Sequence, residues 1–134
     1  MTAPTMAELR EVPLFSTLDD IQLQVVAGFL TTESYRSGRS IVREGEVGYE
    51  FFVIKSGQAD VTQGARVLRL LGPGEFFGEI AIVSEDGKRT ATVSARTSVE
   101  VWAMLGTSFR QLQVQDPEVA QRLSDAIDKR LSNG

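Results

Sequence analysis

Short apolar runs separated by glycine-containing turns fill residues 31–105, and this spacing restricts the possible fold more than any other feature. Turn signals that recur about every eight to twelve residues are typical of an all-β sandwich or barrel. A parallel sheet would need crossover helices between the runs, and the sequence leaves no room for them. The predicted strands are residues 32–36, 40–43, 51–55, 59–63, 67–71, 89–95 and 99–105.

Helical patterns precede this strand-rich region. Residues 5–10 predict a short helix that Pro13 ends, since proline disfavours helix at and before its own position. Residues 18–30 predict a longer helix, with Thr17 as its cap and Asp20 in the third position of a capping box. Apolar residues at helical spacing give this helix a predicted buried stripe of Ile21, Val25, Val26 and Phe29.

Helix is predicted again after the last strand. Residues 108–115 form one short helix, and Asp116-Pro117-Glu118 is a strong start signal for a second. The apolar stripe of the second helix consists of Val119, Leu123, Ala126, Ile127 and Leu131. Three roles stay open for it: packing on the β core, pairing with a second copy in a homodimer, or covering a ligand pocket.

The length of 134 residues suits a single domain over residues 1–134. We divide it into an N-terminal helical segment (1–30), an antiparallel β-barrel or jelly roll (31–105) and C-terminal helices (107–132). The fold class is therefore mostly β with flanking helices. No stretch approaches the roughly 18 apolar residues of a membrane span, so no membrane partner is expected. The absence of cysteine and of a secretory signal at the N-terminus fits a cytoplasmic location.

Composition also limits the function. The chain has no histidine, which excludes Ser-His and Cys-His nucleophiles and histidine-ligated metal sites. Its net charge of −4 argues against nucleic acid as the main partner, because such proteins usually carry a basic face. We therefore expect a binding domain that is not an enzyme and holds no metal.

The segment 76–93, which we call the cassette, reads FFGEIAIVSEDGKRTATV and carries the chemistry of a candidate anion site. Gly78 precedes Glu79, and residues 79–84 could turn as a short helix whose first amides favour an anion. Arg89 would add a planar fork of donors. A carboxylate fits beside a phosphate when that phosphate carries a sugar hydroxyl that donates to it. The cassette therefore predicts a site for a phosphorylated ribose.

The same residues resemble the phosphate-binding cassette of the cyclic nucleotide-binding domain family. The family pattern is Phe-Gly-Glu, apolar residues, a gap and Arg-x-Ala-Thr-Val. This chain has Phe77-Gly78-Glu79, then Ile80-Ala81-Ile82, and finally Arg89-Thr90-Ala91-Thr92-Val93. The resemblance extends to residues 43–46, 52–57 and 71–76 and covers nearly the whole chain. It departs from the pattern in a gap about one residue longer and in Lys88, which stands where proline is common.

The resemblance implies a role for each matching residue. Arg89 would bind the cyclic phosphate, and Glu79 would accept a hydrogen bond from the ribose 2′-hydroxyl. Thr90 would bear on the choice of base and tilts the prediction towards tolerance of cyclic GMP. Backbone donors are expected among Gly78, Glu79, Ile80, Ala81 and Ala91. Depending on strand register, the apolar wall of the pocket would come from Val61, Val67 and Leu70.

The function that follows is a regulatory sensor of cyclic AMP, cyclic GMP or both, with no further cofactor. The ligand would draw the cassette together and let the helix of residues 117–131 move over the pocket, signalling to an effector protein that the sequence does not identify. The alternative is a ligand-independent interaction or dimerisation domain that keeps the barrel.

Overall fold

The computed structural model describes residues 3–46, 48, 50–78 and 91–133, and in these ranges eight strands form two four-stranded sheets. The strands are β1 (Thr31–Tyr35), β2 (Ser40–Val42), β3 (Glu50–Ser56), β4 (Ala59–Gln63), β5 (Arg66–Leu71), β6 (Phe76–Phe77), β7 (Thr92–Ala95) and β8 (Val99–Leu105). One sheet has the order β1-β8-β3-β6 and the other β2-β7-β4-β5. We call them the helix-side sheet and the outer sheet.

All six strand pairs in these two sheets are antiparallel, which confirms the predicted mostly β fold with flanking helices. Among the described residues, no ladder joins one sheet to the other. The jelly-roll description therefore fits, whereas the sheets do not close into one hydrogen-bonded barrel. The division into the three predicted segments stays a prediction.

Helices lie before and after the strands, as predicted. They are α1 (Met6–Arg10), a single 3-10 turn (Pro13–Phe15), α2 (Asp20–Ala27), α3 (Gly106–Gln115) and α4 (Pro117–Asn133). Thr5 and Glu8 form a reciprocal capping box at the start of α1. The backbone N–H of Val119 donates to Asp116 at 3.3 Å, so the predicted start signal of α4 caps that helix. Within the part of the chain described, no helix is both long and apolar enough to cross a membrane.

The prediction for α2 was wrong in two details. Its cap is Asp19 rather than Thr17, because the Asp19 carboxylate accepts from the Gln22 N–H at 2.9 Å and Gln22 reciprocates. Ile21, assigned to the buried stripe, is 75% exposed. The rest of the predicted stripe is confirmed, because Val26 is fully buried and Val25 and Phe29 pack against the buried cluster, to which Leu23 also belongs.

β6 was not predicted, since two residues are too few for an alternating pattern. Its partner β3 explains why it forms: Phe76 pairs with Val53 and Phe77 with Phe52. The predicted strand of residues 89–95 is described from residue 91, and within that part the strand begins at Thr92. The other predicted strands lie within one residue of the observed bounds at each end.

The two faces of the helix-side sheet bury two separate cores. Alternation along β3 and β8 sends Phe52, Ile54 and Val101 between the sheets, in what we call the sandwich core. The opposite face carries Val53, Trp102 and their neighbours, which pack under the helices in the helix core. The helix core also includes Phe51, Phe76, Met104, Leu9, Phe15, Leu23, Leu112, Val119, Leu123 and Ile127. Trp102 is 3% exposed, and its indole N–H has no hydrogen-bond acceptor among the described residues.

Candidate functional site

The cassette connects the two sheets, and its first end leaves the helix-side sheet at β6. Phe77 is buried in the sandwich core and stacks on Phe52, with ring centroids 4.9 Å apart. Gly78 follows with a φ of +81°, a left-handed conformation that favours glycine over residues with a Cβ. A buried strand thus leads into the cassette through Gly78, a residue type that suits the left-handed backbone found there.

The second end of the cassette enters the outer sheet at β7. Ala91 is half-buried, and Thr92 begins the strand opposite Thr62 of β4. The Thr92 hydroxyl accepts a hydrogen bond from the Glu44 N–H at 2.9 Å. The Glu44 carboxylate in turn accepts from the Gly64 N–H at 2.9 Å, in the turn between β4 and β5. Glu44 therefore ties the end of the cassette to the β4–β5 hairpin.

The predicted site residues divide between the described and the undescribed parts of the chain. Gly78 and Ala91 are described, and they lie at the two ends of the cassette. Outside the described residues lie Glu79, Ile80, Ala81, Arg89 and Thr90, together with the helix predicted for residues 79–84 and the turn of residues 85–88. Their roles stay predictions.

The register of β4 and β5 separates the three candidates for the apolar wall. Val61 packs against the sandwich core, so it points inwards. Leu70 precedes the buried Leu71 and pairs with Asp60, so its side chain lies on the outer face, where it is 43% exposed. Val67 pairs with Thr62 on that same outer face and is 63% exposed. Of the three, Val61 alone has the predicted orientation.

On β5, the side chain on the inner face is that of Arg69 and not that of Val67 or Leu70, which were predicted there. Arg69 pairs with Val61, and directly opposed residues in a ladder point to the same side of the sheet. Val61 also pairs with Val93 of β7, two residues beyond Ala91. The inner face of the outer sheet therefore carries the row Val93-Val61-Arg69 next to the end of the cassette. Arg69 is exposed and forms no ion pair with another described residue.

A polar pair lies at the far edge of the sandwich, on β1. The Tyr35 hydroxyl donates to the Glu33 carboxylate at 2.7 Å. Burial first, and then the neighbouring Glu33 carboxylate, raise the pKa of Tyr35 well above its ordinary value. The phenol therefore stays protonated and keeps this hydrogen bond across the physiological range.

Sequence reasoning missed both Glu44 and Arg69. Glu44 lies in an Arg-Glu-Gly-Glu turn, but its bond to Gly64 joins positions 20 residues apart and leaves no local signal. Arg69 was missed because β5 reads as a continuous apolar run. A register shift between Val61 and Thr62 changes the faces of the β5 residues before Arg69, but not the face of Arg69 itself. Strict alternation from Leu71 would have placed Arg69 inwards.

No group of three or more metal-ligating side chains occurs among the described residues. The comparisons with known proteins point instead to an organic ligand. The chain is 37% identical over 105 residues to a cAMP-dependent protein kinase regulatory subunit of Schizosaccharomyces pombe, covering 78% of this chain and 25% of that protein. It is 35% identical over 108 residues to a cGMP-dependent protein kinase of Eimeria tenella, covering 80% of this chain and 11% of that protein.

Solved structures agree with these relatives. The regulatory domain of Toxoplasma gondii PKA, co-crystallised with cAMP, superposes with a TM-score of 0.78 at 28% identity, covering 92% of this chain and 48% of that one. The N-terminal domain of a transcriptional regulator from Streptomyces coelicolor A3(2) gives a TM-score of 0.80 at 29% identity, covering 94% of this chain and 91% of that one. The profile of the cyclic nucleotide-binding domain matches residues 32–116, and this chain belongs to that family.

Proposed function

We propose that this chain binds cyclic AMP, cyclic GMP or both at the cassette, and that it acts as a regulatory sensor rather than as an enzyme. The family match over residues 32–116 carries the proposal, because it spans the whole cassette and the strands on either side. The anchoring of both cassette ends, at Phe77 and at Thr92, supports it, since a site of this kind needs fixed ends.

In this proposal the cyclic phosphate binds Arg89 and the cassette amides, while Glu79 accepts from the ribose 2′-hydroxyl. The arginine supplies charge-assisted hydrogen bonds in a fixed planar fork. Removing one partner of such a desolvated contact costs on the order of 2–5 kcal/mol, which is at least about 30-fold in affinity.

Isothermal titration calorimetry with both nucleotides tests the assignment. Arg89→Ala and Glu79→Ala should each weaken binding by at least about 30-fold. Arg110→Ala is the matched control, because it removes an exposed arginine from α3 and should leave affinity unchanged. Unchanged affinity in Arg89→Ala would refute the assignment. No heat with either nucleotide on the unaltered chain would favour the ligand-independent interaction domain instead.

For the base, two residues support acceptance of cyclic GMP. A hydroxyl on Thr90 could bridge the phosphate and the guanine amino group. Arg69, on the inner row next to Val61, could donate to guanine O6 and N7, which is the commonest arginine contact to a base. Adenine offers N7 but an amino group in place of O6, so the same fork fits it less well.

The Arg69 contribution has its own test. Arg69→Ala should weaken cyclic GMP binding by about tenfold, as expected for a loss of about 1–3 kcal/mol in a base contact, and cyclic AMP binding by less. Arg66→Ala, which removes an exposed arginine from the same strand, is the control. Equal losses for both nucleotides would show that Arg69 does not read the base.

Signalling would pass through α4 to an effector protein. The Arg122 guanidinium donates to the Thr17 carbonyl at 2.6 Å and to the Glu118 carboxylate at 3.0 Å, so α4 is fastened to the N-terminal segment. A nucleotide moves this helix only if it binds the two arrangements with different affinity. A cytoplasmic location and a homodimer through α4 stay predictions, and light scattering across a range of concentrations tests the dimer.

A further inference from the structure

Glu44, in the loop after β2, contacts two separate parts of the proposed nucleotide site. Its backbone N–H donates to the Thr92 hydroxyl, and its carboxylate accepts from the Gly64 N–H, both at 2.9 Å. Thr92 begins β7 at the end of the cassette. Gly64 lies in the turn of the β4–β5 hairpin, which carries Val61 and Arg69 on its inner face. Glu44 therefore joins the end of the cassette to the strand pair that is proposed to contact the base.

The β4–β5 hairpin is held along one side only. Within the described ranges, β5 is the terminal strand of the outer sheet and pairs with β4 alone. Residues 66–70 of this strand are all exposed, and a register shift between Val61 and Thr62 interrupts the ladder. Exposed segments with few buried contacts have low local stability. A hydrogen bond at the turn therefore restricts the position of Arg69 more than it would in a central strand.

The geometry of the turn leaves one amide available for this bond. Gly64 and Ala65 connect the paired residues Gln63 and Arg66, and Gly64 has a φ of +60° whereas Ala65 has no positive φ. A positive φ at the first central residue alone is typical of a type II′ turn, whose own hydrogen bond joins the first and fourth residues. The Gly64 N–H is thus free for Glu44, and a carboxylate is the stronger kind of acceptor.

We propose that Glu44 is a positioning residue for the nucleotide, which holds the β4–β5 hairpin in place relative to the end of the cassette. The inference rests on the proposed function, because it assumes that the cassette binds a cyclic nucleotide. Glu44 acts through Gly64 and Thr92 and not by touching the ligand. Its two bonds raise the fraction of molecules in which the site is already arranged for binding, and the apparent affinity rises with that fraction.

Isothermal titration calorimetry with both nucleotides tests the carboxylate, at a temperature at which circular dichroism shows every variant to be folded. Because Glu44 and Gly64 are exposed, Glu44→Ala should weaken cyclic GMP binding by only about threefold to tenfold. Cyclic AMP binding should weaken less, since Arg69 is proposed to contact guanine. Glu44→Gln should restore most of the affinity, because its amide oxygen can still accept from the Gly64 N–H.

Glu46→Ala is the matched control for Glu44→Ala. It removes the same charge from the same exposed loop, so a general electrostatic effect on an anionic ligand would appear in both variants. The Glu46 carboxylate forms no hydrogen bond or ion pair with a described residue, and its loss should leave affinity unchanged. Hydrogen exchange measured by NMR adds a direct readout, because Glu44→Ala should speed exchange of the Gly64 amide and Glu46→Ala should not.

A second pair of variants tests the link to the cassette. Thr92→Val removes the hydroxyl that accepts from the Glu44 N–H and keeps a β-branched side chain, whereas Thr92→Ser keeps the hydroxyl. Since Thr92 directly follows the cassette, Thr92→Val should weaken both nucleotides by the same factor, about threefold. Thr92→Ser should weaken them less.

Several results would overturn the inference. They are full affinity in Glu44→Ala or Thr92→Val, and a loss in Glu46→Ala, Glu44→Gln or Thr92→Ser as large as in the variant that each one controls. Weaker binding in Glu44→Ala without faster exchange at Gly64 would also overturn it, because the hydrogen bond would then not be the cause. Absence of binding to the unaltered chain is a different result, since the proposed function itself has then failed.

Discussion

The sandwich core and the helix core are buried to the same degree but assembled in different ways. Val101 in the first and Val26 in the second are both fully buried. The sandwich core consists of strand residues from Phe52 to Ala103, and the ladders of the two sheets fix their positions. The helix core joins both ends of the described chain, from Leu9 to Ile127. Its helices meet the sheet mainly through apolar contacts, which are non-directional.

This difference suggests a division of labour. Moving a strand out of register breaks several hydrogen bonds and turns side chains to the wrong face. Packed helices can slide by small amounts while keeping most of their apolar contacts. The sandwich core is therefore suited to holding the ends of the cassette in place, and the helix core to changing its packing.

The largest effects should come from truncating one residue in each core. Ile54→Ala and Leu123→Ala each remove a buried aliphatic side chain and should lower the free energy of unfolding by about 2–5 kcal/mol, as measured in urea. Hydrogen exchange then separates the two cores. Leu123→Ala should leave the amides of β4 and β7 protected, whereas Ile54→Ala should raise their exchange rates. Equal loss of protection in both variants would contradict the division.

A glycine next to the sandwich core provides the next test. Gly57 has a φ of +88°, and a Cβ there would lie 2.2 Å from the Ser98 carbonyl oxygen. Gly57→Ala should therefore lower the free energy of unfolding by about 2–4 kcal/mol, from backbone strain and overpacking together. Gly38→Ala is the control, because Gly38 has a φ of +90° and open space around the Cβ position. Its cost should be about 1–2 kcal/mol, from strain alone. Equal urea midpoints for Gly57→Ala and Gly38→Ala would show that the close approach to the Ser98 carbonyl oxygen adds nothing to the cost of backbone strain.

The smallest effect concerns the charge that fastens α1 to the helix-side sheet. A backbone N–H of Thr5 donates to the Glu8 carboxylate at 3.0 Å, and the Lys55 ammonium lies 3.2 Å from its other oxygen. These contacts, the Thr5 bond first, hold the pKa of Glu8 below its ordinary value. The stabilisation is complete above the unfolded-state pKa of about 4.3 and is lost as the pH falls through the lower folded-state value.

Glu8→Gln should therefore lower the free energy of unfolding at pH 7 by about 0.5 kcal/mol, since the side chain is 35% exposed and glutamine can still cap. Urea titrations at pH 7 and pH 3 test this, and the difference from the unaltered chain should be smaller at pH 3 than at pH 7. Glu11→Gln is the control, because Glu11 is exposed and forms no ion pair with a described residue. If Glu8→Gln lowers the free energy of unfolding equally at pH 3 and pH 7, the loss comes from altered packing and not from the lost charge.

Most of the sandwich could be predicted because its signals are local. Alternation and glycine turns located β4 and β8 without error. The features that the sequence did not predict depend on contacts between residues far apart in the chain. β6 exists because β3 lies beside it. Ile21 fits a helical stripe by its spacing, but the buried face of α2 runs through Leu23, Val26 and Ala27, and Ile21 lies off that face.

For the candidate site, the sequence and the family pattern predict roles for more residues than the structure describes. Gly78 was predicted to contribute a backbone donor; its positive φ is observed, but its contact with a ligand stays a prediction. Glu79 and Arg89 were assigned from their spacing and resemblance, and they lie outside the described residues. Glu44 was overlooked because a carboxylate that joins two distant loops leaves no periodic pattern.

The burial of Trp102 gives the chain an internal optical reporter. It is the single tryptophan, and its indole lies in the helix core with its N–H unpaired by any described residue. An indole in such apolar surroundings emits at short wavelength, and its emission moves to the red when water reaches it. A rearrangement of the helices would therefore change the fluorescence of the unmodified protein, while a change confined to the outer sheet would leave it nearly constant.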